Sequence, residues 1–568
     1  MLLPNYFAQP TYQLEIRSAS NSSILQKVNY KKTYASLSDR QKEIEKVVLS
    51  LYNNAYLAAT IDSITRNDSL KIIAYFNTGE QYKWAQLKKG NVDEGILSSI
   101  GFREKIYAGK PLYYKDVAKV QEKLLTYCEN NGYPFASVKL DSVIIHPNTI
   151  AAQLNIQKNK QVRIDSVIIN GTAKIAPVYL YNYLGIKPGS LYNESAVKNI
   201  APRIKELPFI SEVKPSSILF SEKNTKLILY IDKKKASQFD GIIGVLPDNV
   251  TGKILLTGDV RLNLFNAIHH GEQIEMNWRN LSQNTQDLKA HLNYPFIFSL
   301  PFGIDYQFKL YKKDSSFVDV NQNMALQYLL IGGNYFKVFL NNKRSALLST
   351  TNLELLTTLP PYADISATTY GLGYKKEKLD YRLNPRKGFN IILTGGVGNK
   401  TIHKNAKLNP IAYQGLELNS TNYSGELTGN LFIPLKNKST VKLGVQAAFL
   451  NNKSIFKNEL YRIGGLKTLR GFDEESIYAS SYIITTVEYR YLLEQNSYLY
   501  FFADGAYYEN KSLNFTGDKY DTPFGFGSGF SFSTKAGIFS ISYALGRQFN
   551  NPIYFKSGKI HFGIVNYF

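Results

Sequence analysis

From residue 236 to the end of the sequence, the chain alternates between apolar and polar side chains in one run after another. Val441, Leu443, Val445, Ala447 and Phe449 fall on one side of an extended strand; Lys442, Gly444 and Gln446 fall on the other. Ile274, Met276 and Trp278 oppose Glu275, Asn277 and Arg279, and Val487, Tyr489 and Tyr491 oppose Thr486, Glu488 and Arg490. The pattern returns at Phe539–Leu545 and at Ile560, Phe562 and Ile564. A strand with one apolar face and a polar or tiny opposite face suits lipid outside and a wet lumen inside. A soluble sandwich alternates too, but its strands usually stop after about five or six residues. Aromatics near strand ends, at Tyr498, Tyr500, Tyr507 and Tyr508, read as an interfacial girdle. At roughly 20 residues per strand and connection, residues 236–568 supply about sixteen antiparallel transmembrane strands. Asn341-Asn342-Lys343 reads as a short connection; Asn399–Leu416 and Asn451–Ser480 read as long ones.

The chain before this region reads as α+β repeats. Three segments share the order β-α-α-β-β: residues 10–79, 80–159 and 160–235. In the third, a strand over Val162–Ile169 precedes helical patterns near Pro177–Leu184 and Glu194–Leu207, then strands over Ile210–Leu219 and Thr225–Asp232. Val197, Ile200, Ile204 and Leu207 form one apolar stripe at helical spacing. A repeat of this period means similar small units in series, and their open sheet edges suit capture of an extended client by strand addition. Residues 1–9 (MLLPNYFAQ) read as the remnant of an export signal, with Ala8 as the small residue at its end.

Composition removes several function classes. Lys and Arg number 67 against 45 Asp and Glu, a net charge of +22, yet the longest basic run is Lys233-Lys234-Lys235. That is no nucleic-acid arm; the diffuse positive charge reads as a solvated basic surface, with a general affinity for anionic lipid headgroups as the sharper alternative. The single cysteine, Cys128, excludes a disulfide framework and a Cys-based metal cluster. No Gly-x-Ser-x-Gly and no phosphate-binding loop appear, and Gly525–Gly529 reads as a small-residue barrel strand. His269-His270 is no metal pair if the two lie on a strand, where neighbours face opposite sides. The reading is therefore no enzyme, with no catalytic residues, cofactor or metal.

The stretch Ile463-Gly464-Gly465-Leu466-Lys467-Thr468-Leu469-Arg470-Gly471-Phe472 interrupts the alternation and so belongs to a loop. It resembles the Arg-Gly-Phe/Tyr motif on the sixth extracellular loop of the BamA/TamA superfamily of outer-membrane assembly and translocation proteins. Val487–Arg490, Phe502–Gly505 and the mid-barrel turn Leu383–Gly388 are similar to further family motifs, and the chain ends on the aromatic Phe568. The final strand, His561–Phe568, resembles the recognition signal of outer-membrane barrels, departing from it at Asn566.

The resemblance implies periplasmic POTRA modules followed by a sixteen-stranded barrel in the bacterial outer membrane, closest to TamA-like members with three modules. It implies assisted insertion of barrel proteins, or export of substrates, through a lateral seam without nucleotide hydrolysis. The partners it implies are outer-membrane lipid, unfolded barrel or secreted clients, and a periplasmic or lipoprotein accessory subunit. The alternatives are a dedicated pore of the two-partner secretion type and a passive porin-like channel. Leu469, Arg470, Gly471 and Phe472 are the expected loop anchor. Glu488 and Asp504, on the lumen face by alternation, are the expected partners, because a desolvated guanidinium requires a carboxylate. The expected seam residues are Gly241, Ile243 and Gly244 in the first strand, where glycine weakens the strand interior, and Gly563, Ile564 and Phe568 in the last.

Overall fold

The computed structural model describes the chain apart from residues 1–10, 20–22, 67, 69, 248–253, 282–284, 351, 352, 354, 383, 437, 535, 536, 550 and 568. The expected signal remnant, Leu383 and Phe568 lie outside the described residues. The chain forms two units: Met1–Asp165 with Gly189–Val197, and Ser166–Pro188 with Lys198–Phe568.

The three N-terminal modules share one sheet plan, but the first departs from the expected β-α-α-β-β order: among the described residues it has one α-helix, Leu37–Asn53, preceded by the short strand Thr33–Tyr34. In the first, strand Tyr12–Ser18 runs parallel to Lys71–Asn77, and Thr60–Arg66 pairs antiparallel with the same partner. In the second, Lys83–Lys88 runs parallel to Thr149–Gln157, which pairs antiparallel with Ser137–His146. In the third, Ser166–Asn170 runs parallel to Thr225–Lys233, flanked antiparallel by Ser217–Phe220. A parallel return needs a crossover of a dozen or more residues, and the helices supply it.

Helix Leu37–Asn53 starts where the Ser36 hydroxyl accepts a hydrogen bond from Asp39 N at 3.1 Å. Its stripe of Ile44, Val47 and Leu51 is buried with Leu14, Ile72, Ala74 and Phe76. In the second module Trp84, Leu87, Leu124 and Leu154 form the equivalent core.

Three elements of the third module differ from the sequence reading: its first strand is Ser166–Asn170 and not Val162–Ile169, and proline explains the other two. The helix expected over Glu194–Leu207 is broken into Glu194–Lys198 and Ile200–Glu206. The Pro202 ring cannot pass the carbonyl of Lys198 four residues earlier. The strand expected over Ile210–Leu219 is divided into Ile210–Glu212 and Ser217–Phe220, with Pro215 between them.

The C-terminal region is a closed antiparallel barrel. Its sixteen long strands are β1 (Gln238–Pro247), β2 (Ile254–Phe265), β3 (Gln273–Leu281), β4 (Thr285–Tyr294), β5 (Phe302–Lys313), β6 (Phe317–Leu329), β7 (Tyr335–Leu347) and β8 (Ile365–Leu379), continuing with β9 (Gly388–Ile402), β10 (Asn419–Pro434), β11 (Ser439–Asn451), β12 (Ser481–Leu492), β13 (Tyr498–Glu509), β14 (Phe524–Thr534), β15 (Gly537–Arg547) and β16 (Lys559–Tyr567). The two-residue strand Tyr520–Asp521 extends the pairing of β13. Closure is what lets strands cross lipid, since an open edge would leave N–H and C=O groups unpaired in hydrocarbon. Met324, Leu326, Val338, Tyr370, Leu372, Leu393 and Val397 are exposed on the outer face. Among the described residues no helix is long and apolar enough to cross a membrane.

Three details of the barrel correct the sequence reading. Asn341-Asn342-Lys343 lies inside β7, paired with Asn323, Gln322 and Asn321 of β6, and is no connection. Tyr500 and Tyr508 are buried, and Tyr498 packs on Tyr500, so only Tyr507 of the expected girdle is exposed. His269 and His270 sit in the β2–β3 turn, where the His269 carbonyl accepts from Ala176 N at 2.7 Å.

That turn joins the barrel to the third module. Asn266 Nδ2 donates to the Lys174 carbonyl at 2.9 Å. The Tyr179 ring stacks with Tyr183 and meets Phe296 of the β4–β5 turn edge-on at 5.5 Å. Gly271, at φ 76°, leaves the space Tyr179 fills, because a Cβ there would stand 2.1 Å from the ring. These turns mark the near rim of the barrel.

Cys128 is 1 % exposed in the second module's core, and burial pushes its thiol pKa up. A raised pKa removes thiolate, the reactive form. The folded chain is therefore expected to resist maleimide at pH 7.5, and to label stoichiometrically in denaturant. Rapid labelling of the native chain would show that this module opens on its own.

Candidate functional site

The β11–β12 connection, residues 452–480, is not an outward loop. Tyr461–Ile463 and Ile477–Ala479 pair as a short hairpin, and Ile463, Leu469, Phe472 and Ile477 pack against Ile484 and Tyr508 of the wall. At its tip Thr468 Oγ1 donates to the Gly464 carbonyl and accepts from Gly464 N, both at 2.9 Å. The tip carries Arg470 toward β12 and β13.

The structure brings Arg470, Glu488 and Asp504 together. Arg470 Nε and Nη2 donate to the two oxygens of Asp504, each at 2.7 Å, and Nη1 donates to Glu488 at 2.6 Å. Its backbone N–H also donates to Asp504, at 3.2 Å. The guanidinium lies 3.6 Å from the Phe502 ring centroid. Arg470 is 8 % exposed, Glu488 4 % and Asp504 0 %. A charge this buried requires pairing of this completeness, and the planar fork supplies it.

Two features of this site had no separate signal in the sequence. The first is a relay to the near rim. Arg490 Nε donates to the second Glu488 oxygen at 2.7 Å, and Arg490 Nη1 donates to Asn384 Oδ1 at 2.9 Å. Asn384 belongs to the mid-barrel turn, and its Nδ2 donates to the Gln495 carbonyl. The motif-like pieces around 384, 488, 470 and 504 are thus one continuous polar network. The second is a glycine floor. A Cβ on Gly525 of β14 would stand 1.9 Å from the Arg470 carbonyl oxygen, and one on Gly546 of β15 would stand 2.5 Å from that of Gly471. The loop backbone therefore rests directly on the inner wall.

The same connection is held at two other sectors. Arg279 of β3 pairs with Asp287 and donates to Glu475 at 2.8 Å, and Arg462 lies 3.5 Å from the Tyr311 ring centroid on β5. Lys400 of β9 pairs with Glu459, and Asn458 Nδ2 donates to Ser345 Oγ of β7 at 2.5 Å. At the far rim Phe456 joins Leu359, Ile402, Leu408 and Tyr413 from neighbouring connections in an apolar core. The barrel axis is therefore occupied by its own loop, under a folded cap.

The first and last strands meet over two described pairs, Gln238 with Tyr567 and Phe239 with Asn566. Strands β8 and β9 pair over fifteen residues, Ile365–Leu379 with Gly388–Ile402. Gly241, Ile243 and Gly244 pair with Val260, Gly258 and Thr257 of β2. Gly563 and Ile564 pair with Ser540 and Phe539 of β15. Toward each other, these five expected seam residues form no described pair.

Residues 257–568 match the Omp85 superfamily domain, and residues 162–234 match POTRA, a surface antigen variable number repeat. No curated protein matches the chain in sequence. CdiB from Escherichia coli has a similar fold, with a TM-score of 0.53 at 12 % identity over 94 % of this chain and 99 % of that one. CdiB from Acinetobacter baumannii gives 0.52 at 13 % identity over 93 % and 98 %. BamA from Haemophilus ducreyi lacking POTRA domains 1–3 gives 0.44 at 14 % identity over 86 % and 100 %. The chain belongs to the Omp85 superfamily: it is an outer-membrane barrel whose POTRA region lies in the periplasm, so the near rim is the periplasmic one.

Replacing Arg470 by Ala leaves two buried carboxylates without their shared cation. Breaking a buried pair from one side costs about 3–5 kcal/mol, less in a wet lumen. The wall is expected to survive, seen as unchanged heat-modifiable migration, while limited proteolysis within Leu466–Glu475 rises; Arg470→Lys restores protection only in part. Gly546→Val is expected to give the same protease sensitivity with the ion pairs chemically intact. Wild-type proteolysis in both variants would show that the loop is held elsewhere.

Proposed function

We propose that this member of the Omp85 superfamily assists the insertion of β-barrel proteins into the outer membrane, or the export of a substrate, through the seam between β1 and β16, without nucleotide hydrolysis. The observation that carries this reading is the contrast along the wall: two described pairs close the barrel at Gln238 and Phe239, while other neighbouring strands pair over many more residues. A backbone hydrogen bond contributes roughly 0.5–1.5 kcal/mol net, so this junction is the cheapest in the wall to open. The facing edges at Gly241–Gly244 and Gly563–Ile564, which form no described pair with each other, are then available to template an incoming strand.

The occupied lumen supports the same direction of travel. With loop 452–480 fastened to three sectors of the wall, an axial route requires the loop to leave, whereas a lateral route does not. In this reading Leu469, Arg470, Gly471 and Phe472 are the anchor, and Glu488 and Asp504 its receptors. The loop stiffens β12–β15 and reaches β16 through the Lys559–Asp473 ion pair, leaving the compliance at the two-rung junction with β1. The clients are unfolded barrel or secreted proteins, delivered with or without a periplasmic or lipoprotein subunit.

The register names the residues to test. Phe239 and Asn566 face each other, while Ile243 and Ile564 lie beyond the last described rung. A Phe239→Cys/Asn566→Cys pair in a Cys128→Ala background is expected to crosslink and, once oxidised, to abolish client insertion in proteoliposomes. Full activity of the locked protein would remove the lateral route. Depletion followed by outer-membrane proteomics then separates general assembly, with many barrels lost, from dedicated export, with one substrate lost.

A further inference from the structure

The β4–β5 turn on the periplasmic rim, Pro295-Phe296-Ile297-Phe298-Ser299-Leu300-Pro301, presents its apolar side chains in two directions. Phe296 meets Tyr179 of the third module edge-on. Phe298, two residues on, is 90 % exposed, and Leu300 is 51 % exposed. The backbone enforces the division: Phe296, Phe298 and Ser299 hold φ of 55°, 52° and 65°, a left-handed conformation that bulky side chains rarely adopt. Hydrogen bonds from Ser299 N to the Phe296 carbonyl at 3.2 Å and from Leu300 N to the Ile297 carbonyl at 3.0 Å hold the turn in this form.

What lies next to the turn identifies what it touches. Phe302 begins β5 and packs edge-on against Tyr328 of β6, with ring centroids 5.6 Å apart. Phe302 and Tyr328 are the lowest rung of an outward apolar ladder that continues through Ile304 with Leu326 and Tyr306 with Met324. From Phe302 to Leu310, a row tilted by about 45° climbs roughly 20 Å, close to the ~25 Å of an outer-membrane hydrocarbon band. The turn therefore falls at the lower edge of that band, at the level of the lipid headgroups.

We propose that Phe298 and Leu300 form a wedge inserted into the periplasmic leaflet, and that the wedge sets the height of the third module against the membrane. The lipid-facing wall continues without a break into the turn, which makes phospholipid the occupant. Because Phe296 in the same seven residues grips Tyr179, depth in the leaflet and position of the module are coupled through one rigid turn.

The test is a nitroxide placed by Phe298→Cys in a Cys128→Ala background, in phosphatidylethanolamine–phosphatidylglycerol vesicles. Collision with oxygen is compared with collision with an aqueous nickel chelate. Two sites calibrate the scale: Met324→Cys on the outer wall, and Leu355→Cys in the β7–β8 connection, as exposed as Phe298 at 90 %. The expected result is oxygen preference at 298, as at 324, and nickel preference at 355. A 298 label that reads like 355 overturns the wedge, and so does a label shielded from both reagents, which would mean a protein partner on the turn. A 324 label that prefers nickel would instead refute the embedding of the barrel itself. Phe298→Asp is expected to fold, shown by unchanged heat-modifiable migration, and to raise trypsin cleavage of the third module in vesicles several-fold; unchanged cleavage would remove the coupling to module height.

Discussion

One guanidinium organises the interior of this barrel. Arg470 divides three side-chain donors between Asp504 and Glu488 and lies against the Phe502 ring. Without both carboxylates the arginine could not be desolvated, and without the arginine the loop tip would lose its fastening to β12 and β13. The hairpin, the glycine floor and the apolar cluster around Leu469 and Phe472 are all compatible with burial only after that charge is satisfied. Arg490 extends the network to Asn384. The periplasmic turn and the loop from the opposite rim therefore share one polar spine through the lumen.

The division of stiffness follows. Loop 452–480 ties together sectors from β3 to β16, the last through the ion pair of Lys559 with Asp473 at 2.7 Å, so the wall can deform least where the loop is fastened. The junction of β1 and β16 is held by only two described rungs. The third module is joined to the same rim through Tyr179, Asn266 and Phe296, and β1 begins directly after its last strand. Module, loop and seam are in this sense one mechanical assembly.

Much of the barrel was legible in the sequence because lipid imposes a period of two on every strand. Where the reading failed, the same physics explains it. Tyr507 and Tyr508 are neighbours and cannot both face lipid; Tyr508 is inside. Asn341–Lys343 looked like a connection because it is polar, but Asn341 and Lys343 face the lumen, where the Lys343 ammonium donates to the Asn458 carbonyl of the inward loop at 2.8 Å. The Arg470 partners followed from alternation and charge. The relay through Arg490 and Asn384 did not, since it joins positions 106 residues apart in the chain. The floor at Gly525 and Gly546 was also hidden, because those glycines read as generic small residues until the loop lay on them.

The two rungs at Gln238 and Phe239 sit at the periplasmic end of β1, next to the module that precedes it. Their position decides how a force would act on them. A pull along the strand from its far end would load both rungs at once, in shear. A pull from the module loads them one after the other, as in peeling tape, and the work needed at any instant is that of a single rung. On the proposed lateral route, a client that tugs on the module, even weakly, therefore works on the seam where it resists least.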